Sequence, residues 1–445
     1  MARPRMGVNS DQGLGESQWM DALFHSWNAI FSDGSHLDSA LSKAPTDVKS
    51  YVAAFLPVAL RRPHALAEAL GIPSKRMQNL WQLEADELAN WAGIEEMGAR
   101  FMSICRLEGR LGMEPPASSI RFLRDTQRRV SPADHPMWLH EEWASEWGEK
   151  TADDLSRVLA SDPPLFVRAS GRTGTERLLS ALNDQLELPE GTALSSYVPT
   201  AICLPSYAPV LRTSLHQDGV LEIQDEGSQL IAHFALWPKE FEGRLSQHPG
   251  GKPSDGPIQA LPSRAKVVID ACAGAGGKTL ALADLMAGKG RTYAYDVSDK
   301  KLQALRRRAK KARLNSVQTL LLNEGSEADS IKKFRETADL VLVDAPCSGF
   351  GILRRSPDIK WKSKPGQFGR LPDLQLRLLE TYSSLVKPGG SLVYSLCTFR
   401  RVETQDVVEE FLKRRPEFKK SIGGHFGPNL GGADGFFMQE LRREP

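Results

Sequence analysis

From residue 266 onward the chain alternates short apolar runs with amphipathic stretches, and no other feature restricts the fold as much. The apolar runs lie at 266–270, 291–296, 318–322, 339–344, 391–396 and 436–441. They have the length of strands, not of buried helices. Helical periodicity fills most of the intervals, for example 371–386 and 402–414. Alternation of this kind predicts an α/β fold, a doubly wound and mostly parallel sheet with helices on both faces. Ligands of such sheets sit at the carboxyl ends of the strands.

The residues before 266 follow other rules. Residues 1–17 are polar and Gly-rich and predict a mobile tail. Apolar side chains then recur at helical spacing: Leu23, Phe24, Trp27, Ile30 and Phe31; Val48, Tyr51, Val52, Phe55 and Leu56, closed by Pro57; and Met97, Phe101, Ile104 and Cys105. An all-helical domain is expected over 18–125, with these aromatics as its core. A small α/β region is expected over 126–250, where Pro163-Pro164 leads into an apolar run and Leu221–Asp225 alternates as a half-exposed strand does. The turn-rich stretch 248–257 marks the passage into a larger domain, 251–445.

Several classes are excluded at this point. The run 52–60 is too short to span a bilayer and contains Pro57, so no membrane association is expected. No apolar segment follows Arg3 and Arg5, so no secretory signal is expected. The five cysteines, Cys105, Cys203, Cys272, Cys347 and Cys397, are far apart and never form C-x-x-C. That spacing argues against a disulfide framework or a bound metal and fits a reducing cytoplasm. Net charge is only +2, so any surface for nucleic acid must be local. One candidate is the run Lys300, Lys301, Arg306, Arg307, Arg308, Lys310, Lys311 and Arg313, with no acid among them. Both a solvated helix face and a phosphate contact explain it.

Three segments carry chemistry. Asp270-Ala-Cys272-Ala273-Gly274-Ala275-Gly276-Gly277-Lys278-Thr279 leaves a strand and opens a helix, where glycines admit a ligand close to the backbone. A dinucleotide fingerprint would need glycine at 279 and a phosphate-cradling loop would need it at 272. An S-adenosylmethionine loop fits, and a plain structural turn stays open. Asp296, ending the second strand, favours an adenosine-containing cofactor, because a carboxylate there accepts from both ribose hydroxyls. The second segment is Asp344-Ala-Pro346-Cys347-Ser348-Gly349, followed by Arg354-Arg355-Ser-Pro357-Asp358-Ile-Lys360-Trp361. Its Pro and Gly fix a loop, its cations suit phosphates and its Trp suits stacking or packing. The third is Tyr394-Ser-Leu-Cys397. Either cysteine alone reads as a small buried residue. Two at the carboxyl ends of two strands converge on one crevice.

These segments, with Asp434-Gly435-Phe436-Phe437, resemble the RsmB/Sun family of RNA cytosine-C5 methyltransferases. The resemblance runs from about Pro136 to the C-terminus. Pro163-Pro164-Leu-x-x-Arg168 and Gln224-Asp225-x-x-x-Gln229 are similar to that family's small RNA-binding subdomain, which would be 126–250. The region 18–125 is similar, more distantly, to a NusB-like domain, which points to ribosomal RNA as substrate. The resemblance implies a Rossmann-like methyltransferase domain over 251–445 and S-adenosylmethionine as cofactor. It implies Cys397 as nucleophile, Cys347 as the thiol that helps release product, Asp344 as the carboxylate on the base and Lys278 as a lysine lining the site. Cofactor contacts are implied for Cys272 to Lys278, Asp296 and Asp344, with Glu324 in place of the usual adenine-binding Asp. Arg168, Arg354, Arg355 and Lys360 are expected to contact RNA.

Thiolate attack on C6 of cytosine makes C5 enamine-like and able to accept a methyl group. A protonated Asp344 near N3 would stabilise the adduct. The implied product is 5-methylcytosine, made by a cytoplasmic, monomeric enzyme. The chain departs from the family pattern at Glu403-Thr-Gln-Asp406, usually Glu-Asn-Glu, and at Ser170, usually Asn. The rival readings are an inactive RNA-binding assembly factor on the same fold and a P-loop NTPase. Intact cysteines and Asp344 argue against the first. Cys272 and Asp296 argue against the second.

Overall fold

A computed structural model gives the architecture. It describes residues 134–445, apart from 187, 189–191, 206–207, 251–257, 259–264, 326 and 429–431. Before these it describes 22, 25, 26, 29, 36–44, 49, 56, 57 and 60–62. The expected tail 1–17, the three helical stripes apart from Leu56, and residues 251–257 of the turn-rich stretch lie outside the described residues. Contacts divide the chain into two units. One takes in residues 1–141 and 356–364, the other 142–355 and 365–445.

In the first unit the helix α1 is Leu37–Lys43. A short helical turn, Asp358–Lys362, carries Lys360, expected at RNA, and Trp361, read as suited to stacking or packing. Lys360 is fully buried, and its Nζ donates to the carbonyls of Arg61 at 2.9 Å and Asp134 at 2.6 Å. Trp361 is 2% exposed and its Nε1 donates to the carbonyl of Leu60 at 2.6 Å. Lys360 is therefore corrected from a phosphate ligand to a core residue. Burial pushes its ammonium down to about 7, and the two backbone carbonyls accept its hydrogen bonds.

The helix α2, Met137–Trp147, leads into the second unit, which continues with α3, Glu149–Leu159. A four-stranded antiparallel sheet follows, in the order β2-β3-β1-β4. Its strands are β1 (Leu165–Ala169), β2 (Ala193–Leu194), β3 (Ala201–Leu204) and β4 (Leu221–Ile223), with α4 (Thr175–Leu186) between β1 and β2. Asp225 then caps α5, Glu226–Leu236, by accepting from the Gly227 amide at 2.8 Å.

The larger sheet is built from β5 (Val267–Asp270), α6 (Gly277–Leu285), β6 (Arg291–Asp296), α7 (Asp299–Lys311), β7 (Val317–Leu321), β8 (Ala338–Asp344), α8 (Leu371–Ser383), β9 (Val386–Leu396), α9 (Gln405–Arg414), β10 (Phe418–Phe426) and β11 (Phe436–Arg443). Its order is β10-β11-β9-β8-β5-β6-β7. The five strands from β9 to β7 are parallel, and β11 and β10 run antiparallel at one edge. This is the Rossmann-like, mostly parallel sheet that the alternation predicts.

Strand β10 was not predicted. Its Gly423-Gly424 pair reads as a turn in sequence. In the fold the Gln439 side chain occupies the space a Cβ at Gly423 would need, and the pairing shifts register between Lys420 and Gly423.

Each face of the sheet is covered by helices. On one, α5 sets Leu230, Ile231 and Phe234 against Val268, Leu282, Leu340 and Val393. On the other, Leu379 and Phe411 pack with Ile269, Val341, Val343 and Tyr394. Each such side chain contributes about 1.5–3 kcal/mol on burial. From residue 142 onward the segments expected as 126–250 and 251–445 belong to one contact unit, in which α5 covers the large sheet and the small sheet keeps a cluster of its own around Val167, Leu182 and Ile202.

Candidate active site

The chemistry-bearing residues sit where the chain leaves the parallel strands. Adjacent strands β9, β8, β5, β6 and β7 end near Cys397, Asp344, Cys272, Asp296 and Glu324 respectively. Parallel strands point their carboxyl ends the same way, so residues over a hundred positions apart line one edge.

The first loop is shaped by glycine and by a carboxylate. Gly274 and Gly276 have φ of +54° and +92°. A Cβ at Gly276 would stand 2.5 Å from Leu305 Cγ, so only glycine fits. The Gly274 amide donates to Asp296 Oδ2 at 2.8 Å, and the Ser298 amide donates to Oδ1 at 2.8 Å. Asp296 therefore ties the loop to the end of β6 and keeps lone pairs for further donors. Beside it Val297 is 44% exposed, an apolar side chain that the sequence reading did not single out. Ser298 caps α7, accepting from the Lys301 amide at 3.4 Å, which leaves Asp296 free of that task. Glu324 is exposed on the loop after β7.

Below the loop Asp270 is buried, accepting from the Thr279 hydroxyl at 2.6 Å. Burial pushes its carboxyl up to about 7, against the pull of the Thr279 hydroxyl and with help from the Asp344 charge. Burial also raises the Cys272 thiol, as do the neighbouring carboxylates, so Cys272 stays a neutral thiol.

Lys278, in the first turn of α6, donates to Asp344 Oδ2 at 2.7 Å. Burial by itself would lower the Lys278 ammonium. The Asp344 carboxylate outweighs it and holds the group above its ordinary value, with smaller contributions from Cys397 and Asp270. Asp344 ends β8 directly opposite Ser395 on β9, and the Ser395 hydroxyl donates to Oδ1 at 3.0 Å.

Two residues past Ser395 the chain reaches Cys397, and three past Asp344 it reaches Cys347. Their sulfur atoms are 3.3 Å apart. The hydrogen bond between them, then burial, raises the Cys347 thiol well above its ordinary value. Cys347 therefore holds its proton more firmly than an ordinary thiol does, and either sulfur can donate across the contact.

Glu403 holds this pair in register. It is fully buried, and Oε2 accepts from the Ser348 amide and from Gln375 Nε2, both at 3.0 Å. Oε1 accepts from Arg400 at 3.2 Å. Gln375 also donates to the Pro346 carbonyl at 2.9 Å, and the Gly351 amide to the Cys397 carbonyl at 2.9 Å. A Cβ at Gly351 would lie 1.9 Å from the Gly435 carbonyl oxygen, so glycine is obligatory in that crossing. Sequence alone marked Glu403 as a departure from a motif. Its structural role follows only from the contacts.

Three further expectations are corrected. Arg168, 4% exposed on β1, donates to Asp284 Oδ2 at 2.8 Å and Gln224 Oε1 at 2.9 Å. Arg354 is fully buried against Asp434 Oδ1 at 2.5 Å. Arg355 pairs with Asp434 and with Asp225 Oδ2 at 2.6 Å. All three were expected at RNA phosphates. Each is instead committed to carboxylates inside the protein, where desolvation makes an unpaired charge costly.

The sequence model of the 16S rRNA methyltransferase RsmB/F family matches residues 258–439. The ribosomal RNA small subunit methyltransferase B of Xylella fastidiosa is 30% identical over 362 residues, covering 76% of this chain and 76% of that protein. The chain belongs to the RsmB/F family. The protein of the same name from Shewanella oneidensis is 26% identical over 407 residues, covering 84% and 85% of the two chains. Among solved structures, PH0851 superposes with a TM-score of 0.68 at 19% identity, covering 98% of this chain and all of that one. NSun6 from Pyrococcus horikoshii gives 0.54 at 16% identity, covering 70% and 98%. These two likenesses bear on the fold. RsmB/F membership makes the chain an S-adenosylmethionine-dependent rRNA methyltransferase. Among the described residues no helix is long and apolar enough to cross a membrane, and no cluster could hold a metal ion.

Proposed function

We propose that this RsmB/F protein methylates C5 of a cytosine in small-subunit rRNA, in the cytoplasm and as a monomer, through a covalent bond between Cys397 and C6. The observation that carries this reading is the sulfur pair: Cys347 and Cys397 lie 3.3 Å apart, and the contact with Cys397 and burial raise the Cys347 thiol. A raised thiol is the poorer nucleophile, which favours the Cys397 sulfur for the attack.

The residues at the strand ends fit S-adenosylmethionine. The glycine loop has room for a ligand against its backbone, the Asp296 carboxylate can accept from ribose hydroxyls, and Val297 offers an apolar surface to an adenine ring. Glu324, exposed on the loop after β7, would be the carboxylate offered to the adenine. When bound, the cofactor supplies an electrophilic methyl group.

The rest belongs to this chain. Cys397 adds to C6, and the electron pair of the C5–C6 double bond becomes available at C5. Asp344 faces the polar edge of the pyrimidine. A proton passed from the Lys278 ammonium through Asp344 to N3 would offset charge developing on the ring. After C5 is methylated its proton must leave and the C6–S bond must break. Cys347, as a thiolate after losing its proton to solvent, stands beside that bond and can take the C5 proton, while the C5–C6 double bond re-forms and the C6–S electron pair returns to the Cys397 sulfur. The target base must be unstacked to reach these groups.

Two substitutions test the roles. Cys347→Ala should accumulate an RNA-linked protein on a denaturing gel. Cys397→Ala should form none and should lose transfer of labelled methyl to rRNA by at least about a thousandfold, some 4 kcal/mol of barrier. If the two variants exchange behaviour, the assignment of the cysteines is reversed. If neither traps RNA and both transfer methyl groups, the covalent mechanism is wrong.

A further inference from the structure

We infer that the outer face of α7, together with the cleft beyond its C-terminal end, is a phosphate-binding track for a structured arm of the substrate RNA, separate from the crevice that holds the target base. The inference rests on the rRNA reading above and names where the rest of the RNA lies.

The structure sorts the basic run into two groups. Arg306 pairs with Asp299 at 3.1 Å and donates to Thr319 at 2.9 Å. Arg308 pairs with Glu222 at 2.8 Å and donates to the Ala275 carbonyl at 2.6 Å, bracing the cofactor loop. These two are structural. Lys300, Arg307 and Lys310 are exposed and have no ion pair among the described residues. At spacings of seven and three they share one helix face and span about 15 Å of axis.

Where α7 ends, the basic surface continues. A cleft of about 680 Å³ opens between the loop after β1 and the loops that precede β6 and β7. Arg172 and Arg313 line it from loops and Arg291 from the first position of β6, and all three are exposed without a carboxylate partner among the described residues. The one acid in its lining, Asp284, already accepts from Arg168 and from the Gly171 amide at 2.9 Å. So the cleft presents guanidinium groups and no uncommitted carboxylate.

A net charge of +2 over the chain makes this concentration local and not a property of the whole surface. Its position is also informative. The helix starts beside Asp296 at the carboxyl edge of the sheet, and the cleft lies at the amino edge. A ligand that touches both must be long and regularly anionic, which a nucleic-acid backbone is. The arginines expected to serve that purpose, Arg168, Arg354 and Arg355, are committed inside the protein, so the substrate's phosphates need other partners. Contacts of this kind orient the RNA without reading its sequence.

The test uses the full-length protein and a 16S rRNA transcript, with two charge-reversal variants: Arg307→Glu with Lys310→Glu, and Arg172→Glu with Arg291→Glu and Arg313→Glu. Each should weaken rRNA binding at least tenfold at 0.15 M salt. Each should also make the log–log salt dependence shallower by about 0.7–0.9 for every phosphate that is no longer neutralised. KM for rRNA should rise with kcat at saturating RNA kept within twofold, and S-adenosylhomocysteine binding should not change. The exchange Arg307→Lys with Lys310→Arg should restore the slope, since phosphate binding needs charge more than shape. Wild-type affinity and slope in both reversal variants would overturn the track. A wild-type protein that fails to bind the transcript at all would remove the rRNA reading and this one together.

Discussion

Two polar regions of the second unit have similar compositions and opposite designs. At the strand ends Asp344, Lys278, Cys347 and Cys397 are partly exposed and keep valences open toward the crevice. A few residues past Cys347, Arg354 and Arg355 form a network with the distant Asp434 and Asp225 in which each carboxylate meets a guanidinium and none of the four is exposed. The first region has groups to offer a substrate. The second uses its charges to hold the loop after Cys347 against the loop before β11 and the start of α5. Residue type alone does not separate them, because both motifs place cations and carboxylates beside glycines. What separates them is whether a partner from elsewhere in the chain has arrived.

That contrast can be broken in several ways. The largest effect is expected in the open region. Asp344→Asn should lower kcat by about 10²–10⁴-fold, the usual range for removing an acid–base group, while the melting temperature moves little. A stability loss as large as the rate loss would move Asp344 into the structural class.

In the closed region Asp434→Ala leaves two guanidinium groups without their shared carboxylate, one of them fully buried. It should cost about 3–5 kcal/mol in urea unfolding. A cost under about 1 kcal/mol would mean that the network is loose and solvated.

Asp270 lies beneath the open region, near Asp344 and Lys278, and gives a pH signature. Its folded carboxyl titrates at about 7, above the ordinary value of 3.8. Between those values the unfolded chain has released this proton and the folded chain retains it. The contribution is therefore full at low pH and is lost as pH rises through about 7. Asp270→Asn should flatten that decline in stability between about pH 4 and 7. An unchanged slope would show that Asp270 is ionised in the fold.

The smallest effect sharpens the comparison in the first unit. Lys360→Met should leave the salt dependence of rRNA binding unchanged, because its ammonium is bound to carbonyls. It should cost about 1–3 kcal/mol of stability through the two acceptors it abandons. A shallower salt slope would return Lys360 to the phosphate ligands.

The strands that carry the site were legible because apolar runs and glycine turns are local signals. Strands β5, β6, β7 and β8 lie within one residue of their expected limits, and β9 ends where expected. It begins earlier, at Val386, because Lys387-Pro-Gly-Gly reads as a turn although the backbone already pairs at Val386 with Ala338. The failure at Arg168, Arg354, Arg355 and Lys360 has one cause. A cation in a motif advertises an anion, and the sequence does not say whether that anion is a phosphate or a distant carboxylate or carbonyl of the same chain. Asp284, Asp434 and the Asp134 carbonyl are 116, 80 and 226 positions from the cations they meet.

By itself, then, the sequence determined the alternating strands and helices, the strand-end addresses of Cys272, Asp296, Asp344 and Cys397, and the chemistry those side chains can perform. All of that follows from periodicity and residue type within a few turns of backbone. Only the tertiary structure decided that two sulfur atoms fifty positions apart touch, that this contact raises the Cys347 thiol, and that Glu403 fixes their loop. It also decided which cations face water. Each of these depends on which groups remain unpaired after packing, and burial makes that choice through contacts far apart in the chain.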